Sequence, residues 1–220
     1  MVSEEYRAVL WDMDGTLLRT TEQHWLAWRD ALAAEGFQLT QELFAQSFGR
    51  SDDETLRGYL GADLSQSELS RICTAKTARY MELVEAARVE LLPGVHDWLE
   101  RLKSEGWRQA VASSATLEVI EAILKRLEVR DYFDAIVSCE DVERSKPDPQ
   151  LFLLAAAKLG VKPARSVVVE DAPTGIEAAR RARMRSIGVL TTHPALAGAD
   201  ITVQSLLELQ PSAFEQLLHS

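Results

Sequence analysis

Short apolar stretches alternate with amphipathic segments along most of the chain. The apolar stretches are typical of strands buried on both faces, and the amphipathic segments repeat their apolar residues at helical spacing. The predicted strands are residues 8–11, 108–112, 135–138, 166–169, 186–190 and 201–203. The helices between and after them are predicted at residues 95–105, 117–127, 149–160, 174–182 and 205–218. This alternation favours an α/β fold with a doubly wound, Rossmann-like parallel sheet.

One region departs from the alternation. Residues 20–89 show no good strand pattern, and their apolar residues recur at helical spacing. The predicted helices are residues 22–35, 41–47, 52–60 and 67–87. Because this block interrupts the pattern after the first strand, we predict an inserted α-helical cap domain, residues 20–91. The α/β core domain would then be residues 1–19 and 92–220. An insertion at the carboxyl end of the strands is well placed to act as a lid.

The composition narrows the class of protein. An apolar content of 46% and a charged content of 26% are ordinary for a globular chain of 220 residues. The net charge of −10, with no broad basic segment, argues against nucleic acid as the main ligand. A phosphate site would therefore need local positive charge from a metal ion, a lysine or backbone N–H groups.

Neither cysteine content nor hydropathy indicates an exported or membrane protein. Two cysteines do not make a disulfide framework, and the first residues lack a signal-peptide pattern. No apolar run approaches the roughly 20 residues that span a bilayer. We therefore expect a cytoplasmic monomer with no membrane partner.

Two carboxylates follow the first predicted strand. Asp12 and Asp14 are two residues apart, so in an extended chain their side chains leave on the same side. Gly15 then allows a sharp turn. Two like charges held this close are unfavourable unless a cation or a shared proton relieves them. The pair therefore indicates a metal site, an acid/base pair, or both.

Polar residues also mark the ends of three other predicted strands. Ser113 and Ser114 follow the second strand, Lys146 lies beyond the third, and Glu170 and Asp171 end the fourth. In parallel α/β sheets, ligands bind at the carboxyl ends of the strands. These residue types suit phosphoryl transfer. One carboxylate attacks phosphorus, another moves protons, carboxylate oxygens hold Mg²⁺, and Ser and Lys bind phosphate oxygens.

These four groups of residues resemble the four motifs of the haloacid dehalogenase superfamily. The run Asp-Met-Asp-Gly-Thr at residues 12–16 resembles the first motif, D-x-D-G-T. Ser113 matches the second motif, Lys146 the third, and the Glu-Asp pair at residues 170–171 the fourth. The helical insertion resembles the α-helical cap of the β-phosphoglucomutase-like and phosphoglycolate-phosphatase-like branch. Because Asp14 is present, the resemblance implies phosphate ester chemistry rather than carbon–halogen cleavage.

The resemblance also implies a role for each motif residue. Asp12 would be the nucleophile and Asp14 the general acid/base. Mg²⁺ would be held by Asp12, the backbone carbonyl of Asp14, Asp171, and Glu170 directly or through water. The transferring phosphate would be bound by Ser113, Ser114 and Lys146.

The predicted cap carries further candidate substrate-binding residues. Glu22 and His24 resemble the sequence after the first motif in β-phosphoglucomutase-like proteins, where the histidine contacts the acid/base Asp. Lys76 matches a cap lysine that touches substrate there, and Arg50 lies in a segment resembling the substrate-reading loop. Asp52 stands where the mutase has an arginine for the distal phosphate of its substrate. The Asn that follows the mutase's second motif is also missing here.

These departures favour a phosphatase that acts on a small sugar or polyol monophosphate. The implied partner is therefore a small phosphorylated metabolite. A phosphomutase of the β-phosphoglucomutase type is the first alternative. A non-catalytic binding or regulatory protein on the same fold is the second.

Overall fold

The computed structural model describes residues 6–47, 51–87 and 89–219, which form two compact units. The first, the α/β unit, comprises the described parts of Met1–Arg19 and Glu90–Ser220. The second, the helical unit, is Thr20–Val89. Glu90 and Leu91, which the sequence pattern placed in the insertion, group with the α/β unit. The reason is an isolated antiparallel bridge between Leu91 and Leu18.

The α/β unit contains one parallel sheet. Its strands are β1 (Ala8–Trp11), β2 (Arg108–Ala112), β3 (Ala135–Val137), β4 (Ser166–Glu170), β5 (Arg185–Val189) and β6 (Ile201–Val203). The spatial order is β3-β2-β1-β4-β5-β6, and every pairing is parallel. This confirms the predicted fold class. Because β2 and β4 flank β1, the strand order reverses beside β1, which is where such sheets bind ligands.

The helical unit consists of α1 (Thr21–Ala34), α2 (Gln41–Ser47), α3 (Asp52–Leu60) and α4 (Gln66–Ala86). Two of these helices begin with a capping box, in which a serine and a glutamate three residues later satisfy each other's backbone N–H groups. Ser51 with Glu54 caps α3, and Ser65 with Glu68 caps α4. The helices pack on an apolar core that includes Trp28, Leu32, Leu56, Leu69 and Ile72.

The helices of the α/β unit are α5 (Val95–Ser104), α6 (Leu117–Arg126), α7 (Gln150–Leu159), α8 (Pro173–Arg181) and α9 (Ala213–His219). The predicted single helix over residues 205–218 is wrong. A 3-10 turn at Leu206–Glu208 precedes α9, and Pro211 lies between them. Proline lacks the N–H that a helix interior needs, so the chain cannot continue as one helix there. In the described ranges, no helix combines the length and apolarity needed to cross a membrane.

Candidate active site

Three acidic side chains meet at the carboxyl edge of the sheet. The N–H of Asp12 donates to the carbonyl of Val169 over 3.0 Å, which continues the β1–β4 pairing one residue past β1. This register places Asp12 beside the residues that end β4. Asp12, Glu170 and Asp171 each offer a carboxylate oxygen, and these oxygens lie within 4.8 Å of one another. The three residues are only 7%, 1% and 1% exposed, respectively.

Lys146 joins two of these carboxylates. Its Nζ donates to Asp12 Oδ1 over 2.5 Å and to Glu170 Oε1 over 2.7 Å. Lys146 is itself almost completely buried. Burial lowers the pKa of its ammonium, but the charges of Asp12 and Glu170 outweigh burial and raise that pKa above its ordinary value. Lys146 is therefore a fixed positive charge in the site.

The ammonium of Lys146 nevertheless does not balance the charge of the three carboxylates of Asp12, Glu170 and Asp171. Burial raises the pKa of Asp12 to about 7, with Glu170 adding to the rise and Lys146 opposing it. Burial, together with the charges of Glu170 and Asp12, also raises the pKa of Asp171 well above its usual range. A divalent cation would relieve this repulsion, and carboxylate oxygens are the ligands that hard divalent cations prefer. The donor set therefore fits such an ion.

Protein donors hold both oxygens of Glu170. Its Oε2 accepts the backbone N–H groups of Asp171 and Ala172 over 2.7 and 2.6 Å, while Oε1 accepts from Lys146. These N–H groups lie just before α8, whose N-terminal end favours negative charge. These donors therefore hold the Glu170 carboxyl group in place beside Asp12 and Asp171.

Gly175 in α8 makes room for the Glu170 side chain. A Cβ at this position would lie 1.8 Å from Glu170 Oε1 and 1.9 Å from its carboxyl carbon. We expect Gly175→Ala to lower the free energy of unfolding by about 1–3 kcal/mol, the usual range for overpacking a filled interior. The measurement is urea denaturation followed by circular dichroism.

Gly58→Ala in α3 is the matched control for this substitution. A Cβ at Gly58 meets no atom within 4 Å. Alanine is the better helix former, so this variant should gain about 0.5–1 kcal/mol. Equal stability of the two variants would contradict the close packing of Gly175 on Glu170.

The other residues predicted for the active site in the α/β unit, which are Ser113, Ser114 and Asp14, lie at or near the same edge of the sheet. The N–H of Ser113 donates to the carbonyl of Val137 over 3.0 Å, which extends the β2–β3 pairing past β2. Ser113 is buried, and its Oγ accepts the N–H of Ala115. Ser114 and Asp14 are partly exposed. Asp14 is close enough to Asp12 for its charge to add to the effect of burial on the pKa of Asp12.

The sequence reasoning missed residues that contact Asp171. Thr16 Oγ1 lies 3.5 Å from Asp171 Oδ1, and Thr192 Oγ1 donates to Asp171 Oδ2. His193 Nδ1 lies 3.2 Å from the Asp171 backbone oxygen. Thr192 and His193 come shortly after β5, so the strand-end argument extends to them, although a hydroxyl side chain carries little signal alone. Thr16 is the last residue of the D-x-D-G-T motif, and the resemblance implied no role for its side chain.

Two predicted cap residues belong to one cluster in the helical unit. The Lys76 ammonium is ion-paired with Asp52, 3.2 Å from each carboxylate oxygen. It also lies 5.0 Å from the ring centroid of Trp28 and 6.0 Å from that of Tyr80. His24 stacks on Tyr80 with ring centroids 4.2 Å apart. This cluster combines a buried cation, a carboxylate and aromatic faces.

The structure describes one of the other two predicted cap residues. Glu22 is exposed in the first turn of α1. Arg50 lies outside the described residues.

The sheet order and the strand-end carboxylates define a class of α/β protein with an acidic site at the carboxyl edge of a parallel sheet, and a sequence comparison gives the family. The profile of the haloacid dehalogenase-like hydrolase family matches residues 9–189. The chain belongs to this family. The match spans most of the chain and includes the residues at all four strand ends.

Individual relatives are similar over nearly their whole length. β-Phosphoglucomutase of Bacillus subtilis is 35% identical over 209 residues, covering 92% of this chain and 91% of the relative. Hexitol phosphatase B of Escherichia coli is 35% identical over 208 residues, covering 92% and 93%. The crystal structure of β-phosphoglucomutase from Clostridium difficile superposes with a TM-score of 0.88 at 26% identity, covering 97% of each chain. The relatives thus include both a mutase and a phosphatase.

Proposed function

We propose that this protein is a Mg²⁺-dependent phosphatase that hydrolyses a small sugar or polyol monophosphate through an aspartyl-phosphate intermediate. The observation that carries the proposal is the convergence of Asp12, Glu170 and Asp171 around Lys146 at the carboxyl edge of the sheet. Membership of the hydrolase family and similarity to a relative named hexitol phosphatase support it.

The buried acidic cluster supports the choice of metal ion. We propose that Asp12, Asp171 and the backbone carbonyl of Asp14 hold Mg²⁺, with Glu170 ligating directly or through water. When bound, Mg²⁺ would offset the repulsion between the carboxylates and the phosphate and would polarise a phosphoryl oxygen.

Two side chains at the end of β1 would carry out the reaction, Asp12 as the nucleophile and Asp14 as the general acid/base. The Asp12 carboxylate attacks phosphorus in line, and the bond from phosphorus to the alcohol oxygen breaks. The Asp14 carboxyl group gives its proton to that leaving oxygen. Asp14 then takes a proton from water as the water oxygen attacks phosphorus. The bond to Asp12 breaks and inorganic phosphate leaves. Ser113, Ser114 and Lys146 bind the phosphate oxygens throughout.

The pairing of Asp52 with Lys76 supports a monophosphate substrate. A carboxylate within 3.2 Å of the ammonium offsets the charge that would attract a second phosphate group. His24 and the aromatic faces around Lys76 suit the hydroxyl groups and carbon skeleton of a sugar or polyol. We propose that Lys76, His24, Glu22 and Arg50 contribute to substrate selection in the helical unit.

A panel of hexose, pentose and hexitol monophosphates tests the proposal. We expect release of inorganic phosphate that requires Mg²⁺, stops on addition of EDTA and returns when Mg²⁺ is restored in excess. Phosphate release that persists in EDTA would contradict the metal requirement. No release from any ester at saturating Mg²⁺ would instead favour the non-catalytic alternative.

A phosphomutase is the second candidate, favoured by 35% identity to the Bacillus subtilis β-phosphoglucomutase. Incubation with β-glucose 1-phosphate and a catalytic amount of a bisphosphate primer separates the two activities. We expect free phosphate as the main product, because Asp52 pairs with Lys76 and leaves less positive charge to retain a bisphosphate. Glucose 6-phosphate as the main product would establish the mutase.

A further inference from the structure

Lys146 donates hydrogen bonds to Asp12 and Glu170. In the described part of the chain, no hydrogen bond joins Lys146 to Asp171, the third carboxylate of the acidic cluster. Its orientation must therefore come from other groups. Besides Thr16, these groups lie in the segment Thr191-Thr192-His193, which follows β5 and was not part of any predicted site.

Thr192 contacts Asp171 at two atoms. Its Oγ1 donates to Asp171 Oδ2 and also lies 3.0 Å from the backbone oxygen of Asp171. A hydroxyl has one proton, so only one of these oxygens can accept it. His193 Nδ1 lies 3.2 Å from the same backbone oxygen and 3.0 Å from Thr192 Oγ1. In the tautomer of His193 whose N–H is at Nδ1, this nitrogen donates to the carbonyl and cannot accept the Thr192 proton. The Thr192 proton is then left for the Asp171 carboxylate.

Steric contact reinforces this hydrogen bond. Gly15 has a φ of +86°, and a Cβ there would lie 2.0 Å from Asp171 Oδ2 and 3.1 Å from Thr192 Cγ2. The absence of a side chain at Gly15 thus lets Asp171 and Thr192 pack against the turn after Asp14. Thr191 Oγ1 donates to the backbone oxygen of Gly15 and ties the same segment to that turn.

We propose that Thr192 is a positioning residue that orients the Asp171 carboxylate for metal binding. The Thr192 hydroxyl holds Oδ2 while Oδ1 lies 3.5 Å from Thr16 Oγ1, and the shorter bond to Thr192 restricts rotation of the carboxylate that would ligate the metal. The inference rests on the proposed Mg²⁺ site. Removal of a partner that orients a metal-binding side chain typically lowers metal affinity by about 10- to 100-fold.

Substitutions at Thr192 separate the hydroxyl from the rest of the side chain. Thr192→Val keeps the shape and removes the hydroxyl, Thr192→Ala removes both the hydroxyl and the methyl group, and Thr192→Ser keeps the hydroxyl. Thr74→Val is the matched control, because Thr74 is exposed in α4 and its hydroxyl donates to the helix backbone at Ser70. Asp171→Asn provides the reference with a damaged metal site.

The primary measurement is the rise in melting temperature with increasing Mg²⁺, which reports binding without turnover. We expect Thr192→Val and Thr192→Ala to shift the Mg²⁺ midpoint at least about 10-fold higher. Thr192→Ser and Thr74→Val should remain within about threefold of the wild type. With a substrate from the ester panel, the Mg²⁺ activation constant should shift in parallel, while KM at saturating Mg²⁺ stays within about twofold.

Several results would overturn the inference. An unchanged Mg²⁺ midpoint in Thr192→Val would show that the hydroxyl does not orient Asp171. Equal losses in Thr192→Ser and Thr192→Val would assign the effect to packing. Loss of the folded state without Mg²⁺ in both Thr192→Val and Thr192→Ala would make the role purely structural. If the wild type and Asp171→Asn respond identically to Mg²⁺, the proposed metal site itself is wrong, and the role of Thr192 fails with it.

Discussion

Asp12→Asn is expected to reduce phosphate release by at least about 10⁴-fold, the scale seen when a nucleophile is removed from an enzyme. An amide has no anionic oxygen to attack phosphorus, and Asp14 alone cannot form the aspartyl-phosphate. The measurement is steady-state release of inorganic phosphate at saturating Mg²⁺. Acid-quenched reactions should also contain a protein-bound phosphate in the wild type and none in the variant.

The same substitution should not weaken the fold. Burial raises the pKa of Asp12 to about 7, which means that its ionised form is unfavourable in the folded state without a cation. A neutral amide removes that unfavourable charge while Lys146 keeps Glu170 as a partner. We therefore expect a melting temperature without Mg²⁺ that equals or exceeds that of the wild type.

Asp200→Asn is the matched control, because it makes the same chemical change at the opposite edge of the sheet. The Asp200 carboxylate accepts from Arg185 and from the N–H of Ser186 at the start of β5. Its activity should stay within about twofold of the wild type, as expected away from the site. Wild-type activity in Asp12→Asn would show that another group is the nucleophile.

Lys146→Met is expected to have the largest effect on stability. It removes the ammonium that bridges Asp12 and Glu170 and leaves buried carboxylates without that partner. Breaking a buried ion pair on one side typically lowers the free energy of unfolding by about 3–5 kcal/mol. Urea denaturation in the absence of Mg²⁺ measures this loss. Phosphate release should fall by about 10²–10³-fold, since a group that stabilises the phosphate is gone.

Two further variants test the electrostatic origin of that loss. Lys158→Met removes a lysine that is 37% exposed and pairs with Asp141, so the change should stay within about 1 kcal/mol. Adding Asp12→Asn to Lys146→Met removes one of the unpaired carboxylates and should restore part of the stability. Such non-additivity is expected only for groups that interact directly. Additive losses in the double variant would contradict the charge argument.

The sequence was sufficient for most of the α/β core because the relevant signals are local. The apolar run at residues 8–11 and the β-branched run at residues 166–169 coincide with β1 and with most of β4. Helices α2 and α3 begin and end where their patterns predict. The closing helix was overextended because the apolar pattern continues on both sides of Pro211, whereas the backbone cannot.

Local sequence signals predicted only part of the candidate site. The carboxylates of Asp12 and Asp171 could be singled out because each follows an apolar strand. Thr192 follows its strand in the same way but has a common hydroxyl side chain, which carries little signal alone. Its contact with Asp171 appears only when β4 and β5 are paired. The role of Gly175 was equally hidden, since a helical glycine has no chemistry of its own.

The sequence alone was enough to predict the alternation of strands and helices, the helical insertion and the position of Asp12 and Asp14 at the end of the first strand. These features depend on the two-residue period of a strand and on helical spacing, which act over a few residues. Two sets of contacts are visible only in the folded structure. Lys146 joins Asp12, 134 residues away in sequence, to Glu170, and Thr192 holds Asp171. Those contacts depend on strand register and on side-chain packing between distant segments, which no local pattern encodes.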